Sequence, residues 1–267
     1  MKGRNIFWFG LGIFLILIIV AIYGHYFMGA YDEIDLLNIS ESPSDTHWLG
    51  TDELGRDILT NLLYGLGVSL FVGLTATVSQ LLIGLSAGLL AGYFGGWVDY
   101  LIMRLADIVL CLPMFILASA ITAIIGPNIR NLIIIIALLS WADVSRIVRA
   151  QVIQDLNQEY ILSAKLANWT SLEIIRFHFI PHLIPQLVVA STISMANAIL
   201  MEASLSFLGL GVKMPMPSLG NMLNNAQNLR SLQYEWWTWL PAGILIVLLV
   251  FSINLMGEGL RIKGGQS

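Results

Sequence analysis

Long apolar runs separated by short polar segments make up most of the chain. A helix needs about 20 mostly apolar residues to cross the hydrocarbon core of a bilayer. Because lipid cannot satisfy open backbone N–H and C=O groups, each run is predicted to be an α-helix. The pattern therefore predicts an all-α integral membrane protein with about six transmembrane helices. The predicted spans are residues 6–27, 68–92, 98–124, 130–148, 183–206 and 236–257.

The composition also indicates that lipid is the solvent for much of the surface. Of the 267 residues, 57% are hydrophobic and only 11% are charged. A soluble domain carries about 25% charged residues, so the polar groups here are too few to cover a soluble protein of this size. The net charge of −4 and the lack of a basic stripe give no indication of nucleic-acid binding.

The first apolar run follows Lys2 and Arg4 and so resembles a secretory signal peptide. The apolar core of a signal peptide is about 7–15 residues long, and this run is longer. It is interpreted as an uncleaved transmembrane helix within residues 1–28. The more polar stretch that follows, residues 29–66, is predicted to lie outside the membrane.

The lysine and arginine residues give the predicted orientation. Six spans place both termini on one side, and loops rich in Lys and Arg face the cytoplasm. Nine of the 13 Lys and Arg residues fall on the side of the termini, so both termini are predicted to be cytoplasmic. The nine are Lys2, Arg4, Arg104, Arg146, Arg149, Lys165, Arg176, Arg261 and Lys263.

A glycine repeat marks the second span, where Gly84, Gly88 and Gly92 recur every fourth residue. Small residues on one helix face let two backbones approach closely in a membrane. The glycines are predicted to pack against another helix of this chain or, as the alternative, against a second membrane subunit.

The segment at residues 150–181, between the fourth and fifth spans, is predicted to form a bent helical hairpin. Asp155 is predicted to cap the first helix, with Gln158 three residues further on. Asn168 follows the last apolar position of that helix, and asparagine tolerates the left-handed conformation of a helix end.

The second helix of this hairpin has its own start and stop signals. Thr170 and Glu173 have the spacing of a capping box, and Pro181 is predicted to end the helix. A helix lying flat on a membrane surface needs a strongly basic face, whereas this segment offers only Lys165 and Arg176. The hairpin is therefore interpreted as a docking element for a cytoplasmic protein.

The hairpin resembles the EAA loop of binding-protein-dependent ABC permeases. Those loops read E-Y-x-x-A-A-x-x-x-G and then, further on, I-L-P. This sequence has the Glu-Tyr pair, the second alanine and the proline, but serine stands for the first alanine and asparagine for the glycine. The corresponding positions are Glu159, Tyr160, Ser163, Ala164, Asn168 and Pro181.

Further motifs resemble the peptide and nickel branch of these permeases. Residues 48–57 read W-L-G-T-D-E-L-G-R-D, and residues 202–211 read E-A-S-L-S-F-L-G-L-G. Residues 92–99 and 217–222 fit the same branch. The chain is thus similar to the C-type permeases of dipeptide, oligopeptide or nickel importers.

The resemblance implies the type I ABC importer permease fold, with residues 67–262 as the permease transmembrane domain. It implies a second homologous permease, two ABC ATPase subunits and an extracytoplasmic solute-binding protein as partners, in addition to membrane lipid. ATP and Mg would be bound by the ATPases, and no cofactor is expected in this chain. The implied location is the cytoplasmic membrane of a bacterium or archaeon. Dipeptides or oligopeptides are the expected solute, and nickel or a metal chelate is the alternative.

The sequence contains no motif for nucleotide hydrolysis or metal binding. A P-loop ends in Gly-Lys-Ser/Thr, and the chain has no Gly-Lys dipeptide. The histidines are dispersed, and His178 and His182 are interpreted as interfacial or helix-end residues. Cys111 is the single cysteine. The chain is therefore expected to be a transport subunit and not an enzyme.

Ionisable residues within spans are costly in lipid and often functional. Asp107 and Glu202 are the candidates for the translocation path. For Asp107 the alternative is a local ion pair with Arg104, and Asp143 and Arg146 have the same spacing. For Glu202 the alternative is contact with polar groups near the membrane surface.

Two other classes of membrane protein are expected to have different sequence patterns. A stand-alone secondary transporter is expected to have an internal repeat and helices broken at the midplane. An intramembrane enzyme needs paired catalytic groups within its spans. Neither pattern is clear in the sequence, and neither class explains the hairpin.

Overall fold

The computed structural model describes residues 2–27 and 29–264. These residues fold almost entirely as helices. The helices are α1 (Lys2–Phe27), α2 (Ile58–Phe94), α3 (Gly96–Cys111), α4 (Met114–Ile125), α5 (Ile129–Asp155), α6 (Glu159–Leu166), α7 (Ser171–Ile174), α8 (Ile180–Phe207), α9 (Leu219–Leu223), α10 (Leu229–Tyr234) and α11 (Leu240–Gly264).

Five helical segments of the described chain are long and apolar enough to cross a membrane, and a bent helix pair brings the total to six. The prediction of about six spans is confirmed. The five segments are Gly3–Tyr26, Ile58–Phe94, Ile129–Asp155, Ser171–Phe207 and Trp236–Ile262.

The third predicted span, residues 98–124, is not one straight helix. Helices α3 and α4 meet at an angle of 88°. Leu112 between them has an extended backbone with ψ of 137°, because the ring of Pro113 excludes the preceding residue from the helical region. The prediction of a continuous helix is therefore wrong at this position.

Helices α2 and α5 pack closely along the glycine repeat. A Cβ atom on Gly88 would lie 2.6 Å from the Cβ of Val148 and 2.6 Å from the carbonyl oxygen of Ser145. Gly84 and Gly92 meet Val144 and Val152 in the same way. The repeat thus packs within this chain, which is the first of the two alternatives.

Helix α1 lies along α11 and is held by close backbone contacts. A Cβ atom on Gly10 would lie 2.8 Å from the carbonyl oxygen of Ser252, and one on Gly259 would lie 2.6 Å from the backbone nitrogen of Phe7. The N-terminal span therefore joins the bundle along the last span.

The bundle has two distinct ends. The loop end carries the turn and helices of residues 156–174, and the cap end carries residues 29–57 and 208–239. The two cap segments contact each other, since the indole nitrogen of Trp237 donates to the carbonyl oxygen of Thr51 at 3.3 Å.

Helix α2 begins earlier than the sequence predicted. The polar segment was expected to extend to residue 66, but the helix begins at Ile58. The Asp57 carboxylate accepts a hydrogen bond from the backbone nitrogen of Thr60 at 2.8 Å. This cap starts the helix directly after the polar segment, in residues 58–67, where Thr60, Asn61 and two glycines interrupt the apolar run.

Candidate functional site

The hairpin begins differently from its prediction. Asp155 is the last residue of α5 and does not cap α6, whose N-cap position is occupied by Gln158 without a side-chain bond. The buried Asp155 carboxylate instead accepts from the Gln151 side chain at 2.8 Å. Helix α5 continues this far because Val152 still packs against Gly92.

The turn between α6 and α7 is as predicted. Asn168 has a φ of 57°, the left-handed region that asparagine tolerates better than most residues. The backbone nitrogen of Trp169 donates to the carbonyl oxygen of Ala164 at 3.1 Å, which closes the helix end. Asparagine therefore adopts the left-handed conformation at the position where the EAA loop usually has glycine.

The predicted capping box is present at the start of α7. The Thr170 hydroxyl and backbone N–H each donate to the Glu173 carboxylate at 2.7 Å. Both bonds stabilise the charged carboxylate. The exposed turn is thus fixed by local bonds.

Pro181 does not end the second helix, contrary to prediction. Helix α7 passes through a π-helical turn at Ile175–Phe179 and continues as α8. The backbone nitrogen of Ile180 donates to the carbonyl oxygen of Ile175. A local π-turn lets a helix accommodate a proline that cannot donate, so the hairpin and the fifth span form one helical segment.

One side of the hairpin packs against the bundle and the other is open. Ile161 and Ala164 are buried with Ile174 and Phe179. Glu159 and Ser163 are exposed. Large apolar side chains are also exposed, and these are Tyr160, Leu162, Leu166 and Leu172. Such a patch outside the spans is typical of a protein-binding surface.

An aromatic cluster supports the hairpin. The His178 ring lies 5.1 Å from that of Trp169 and 5.9 Å from that of Tyr160, between ring centroids. Partial burial and then the negative charge of Asp155 raise the pKa of Tyr160.

His182 lies in contact with Asp155 at 3.6 Å. No group of three or more potential metal ligands occurs in the described part of the chain.

Glu202 lies in a polar network near the cap end of α8. Its side chain is fully buried and accepts from the hydroxyls of Ser69 and Ser206, both at 2.7 Å. These hydroxyls accept in turn from the backbone nitrogens of Leu219 and Val212. Through these bonds Glu202 ties α2 and α8 to the cap. Its place on a translocation path stays a prediction.

The Glu202→Ala variant is expected to destabilise the protein, because the two buried hydroxyls lose their acceptor. A buried group without a partner costs about 1–3 kcal/mol, which corresponds to a decrease of roughly 2–12 °C in unfolding temperature for a chain of this size. Thermal unfolding in detergent measures it. Glu202→Gln keeps one acceptor oxygen, so its unfolding temperature should fall less. An equal decrease in both variants would contradict the hydrogen-bond explanation.

Asp107 pairs across helices and not within its own. The Arg146 guanidinium of α5 contacts its carboxylate at 2.5 Å. Neither Arg104–Asp107 nor Asp143–Arg146 forms an ion pair among the described residues, so the local alternatives are wrong. A second such pair, Arg149 with Asp99, also links α5 to α3.

Residues 84–261 match the family model of the binding-protein-dependent transport system inner membrane component. The chain belongs to this family. It is a multi-pass protein of the cytoplasmic membrane and a transport component, as the resemblance implied.

Relatives from this family are similar along nearly the whole chain. The chain is 39% identical over 262 residues to the dipeptide transport system permease protein DppC of Alkalihalophilus pseudofirmus, covering 98% of this chain and 86% of that protein. It is 44% identical over 213 residues to the di/tripeptide transport system permease protein DppC of Pseudomonas aeruginosa, covering 80% of this chain and 70% of that protein. It is 36% identical to the oligopeptide permease OppC of Bacillus subtilis (94% and 82%).

A solved structure shares the fold. A chain of the MetNI methionine ABC transporter in an inward-facing conformation has a TM-score of 0.60 and 19% identity, covering 77% of this chain and 96% of that one. The predicted ABC importer permease fold is confirmed.

Proposed function

We propose that the chain is a permease subunit of an ABC importer that takes up dipeptides or oligopeptides. The similarity to a dipeptide permease over 98% of the chain carries this proposal. The named relatives are peptide permeases, which favours peptides over the nickel alternative. The solute would pass between this chain and a second homologous permease.

The hairpin at residues 150–181 is proposed to dock into an ATPase subunit. Its open side offers the Glu159 carboxylate, which pairs with no described residue, and exposed apolar side chains at Tyr160 and Leu166. Since α7 continues into α8, a displacement of the hairpin would move the fifth span directly. Two ATPases would bind and hydrolyse ATP with Mg, and this chain would supply no catalytic group.

The loop end is proposed to face the cytoplasm, in agreement with the excess of Lys and Arg on that side. The cap end would then face outward, where a solute-binding protein delivers the peptide. The Asp52–Arg56 ion pair, at 2.7 Å, is buried and would help to hold the cap segment in shape when the binding protein docks.

Copurification and uptake together test the proposal. The tagged chain, extracted in mild detergent, is expected to bring down a second permease, P-loop ATPases and a binding protein. The reconstituted complex should accumulate labelled dipeptides or tripeptides only with ATP. Recovery of the chain alone would contradict the importer, whereas uptake of nickel without peptides would contradict the solute.

A further inference from the structure

The side of α5 that faces away from α2 is open in this chain. Val144 and Val148 pack on the glycine repeat of α2. On the opposite side, Asp143, Arg146, Ile147 and Ala150 are exposed. This side, called the open face, is bordered by α3 through the Arg146–Asp107 pair and by α8 through a 2.6 Å hydrogen bond between the Gln151 and Gln186 side chains.

The charges on and beside the open face are not all paired. Arg146 and Asp107 contact each other while about half exposed, at 50% and 45%. Asp143 has no hydrogen-bond or ion-pair partner within the described residues, and the same holds for Arg104, one turn from Asp107 on α3. The region thus offers a free carboxylate and a free guanidinium.

Asp143 lies deep enough to be inside the membrane. It is 14 residues after Ile129 and 12 before Asp155, the ends of α5. At about 1.5 Å per residue it is roughly 18–21 Å from either end, and the hydrocarbon core is about 30 Å thick. A free carboxylate at this depth faces a bundle interior or a water-filled cavity, because exposure to lipid is too costly.

The composition of the region favours a water-filled cavity over a helix interface. Interfaces between membrane helices are rich in small residues that allow close backbone contact, as in the glycine repeat of α2. The open face and its α3 border instead carry four charged side chains, namely Arg104, Asp107, Asp143 and Arg146. Charges of both signs suit a zwitterionic solute.

We propose that the open face of α5 lines the solute path and that Asp143 binds the ammonium group of a peptide in transit. This inference rests on the proposed peptide transport. The carboxylate can accept charge-assisted hydrogen bonds from an ammonium group. Because no residue described here occupies it, Asp143 is available to a passing solute, and Arg104 offers a counter-charge for the peptide carboxylate.

Thiol labelling of the assembled transporter in nanodiscs tests where the open face lies. Both variants, Asp143→Cys and the control Leu82→Cys, are made in a Cys111→Ala background. Leu82 lies at the same level of the bundle as Asp143, because each is 12 residues before the end of its helix, α2 or α5. Leu82 is 63% exposed on another face. Water-soluble methanethiosulfonate should modify the thiol at position 143 and not that at 82, and binding protein loaded with dipeptide should slow the reaction in the presence of nucleotide.

Uptake measurements test the ammonium site. Asp143→Asn is expected to lower dipeptide uptake about tenfold, the effect of losing one charge-assisted hydrogen bond, while Asp143→Glu should keep most of it. A thiol at 143 as unreactive as that at 82 would overturn the inference, since the second permease or lipid would cover the face. Wild-type uptake by Asp143→Asn would overturn the ammonium site.

The failure of the proposed function has a different signature. If the Cys111→Ala parent assembles but takes up no peptide, the assigned solute is wrong, and the ammonium site falls with it. Reactivity at 143 would then still establish a water-filled face, since the labelling itself needs no peptide.

Discussion

Glu159→Lys is expected to reduce ATP-driven peptide uptake at least about tenfold while the chain still folds into the membrane. Glu159 is exposed in the first turn of α6 and pairs with no residue that the structure describes, so its charge is available to a docked ATPase. Loss of one partner of a buried charge pair costs about 2–5 kcal/mol of binding, and about 1.4 kcal/mol is tenfold.

Parallel assays of uptake and ATP hydrolysis in proteoliposomes measure this effect. We expect hydrolysis to continue with little uptake, since the hairpin no longer transmits the motion of the ATPase. Glu258→Lys is the matched control: it reverses a charge at the same end of the bundle and breaks only an exposed pair with Arg261, worth about 0–1 kcal/mol. Coupled uptake at the wild-type rate in Glu159→Lys would contradict the proposed role of the hairpin.

The features of the hairpin that depend on local chemistry could be predicted from the sequence. The Thr170–Glu173 capping box involves atoms only three residues apart, so its geometry follows from the residue types. The left-handed Asn168 follows from a similar local preference. The apolar runs were equally informative, because span length depends only on the thickness of the bilayer.

The features that depend on packing could not be predicted. The sequence predicts Asp155 as a helix cap, but Val152 packs against α2 and α5 continues to Asp155. Pro181 reads as a stop signal, yet a π-turn carries the helix past it. By contrast, the break at Pro113 had a local signal, because the residue before a proline is disfavoured in a helix; the apolar pattern across it concealed the break.

Ion pairs between helices could not be predicted from the sequence either. Arg146 has a carboxylate three residues away at Asp143, yet contacts Asp107 on α3. The short local spacing gives no information about which helix faces α5. Because Arg146 pairs with Asp107, Asp143 has no ion-pair partner among the described residues. The sequence alone could not show this.

Gly88→Ala is expected to destabilise the chain, although alanine favours a helix over glycine by about 1 kcal/mol. The added Cβ would lie 2.6 Å from the carbonyl oxygen of Ser145 and 2.6 Å from the Cβ of Val148. Neither the backbone oxygen nor a β-branched side chain can move aside without separating α2 from α5. Overpacking of this kind costs about 1–3 kcal/mol, and Gly88→Leu should cost more.

Gly67→Ala is the matched control on the same helix, because its Cβ would meet only Ala21 at 3.9 Å, an ordinary contact. It should leave the unfolding temperature unchanged or raised, while Gly88→Ala lowers it by roughly 2–12 °C. Opposite signs for one substitution on one helix would show that close approach to α5, and not helix propensity, requires glycine at position 88. If Gly88→Ala were as stable as Gly67→Ala, α2 and α5 could separate freely, and their packing could not hold the open face in place.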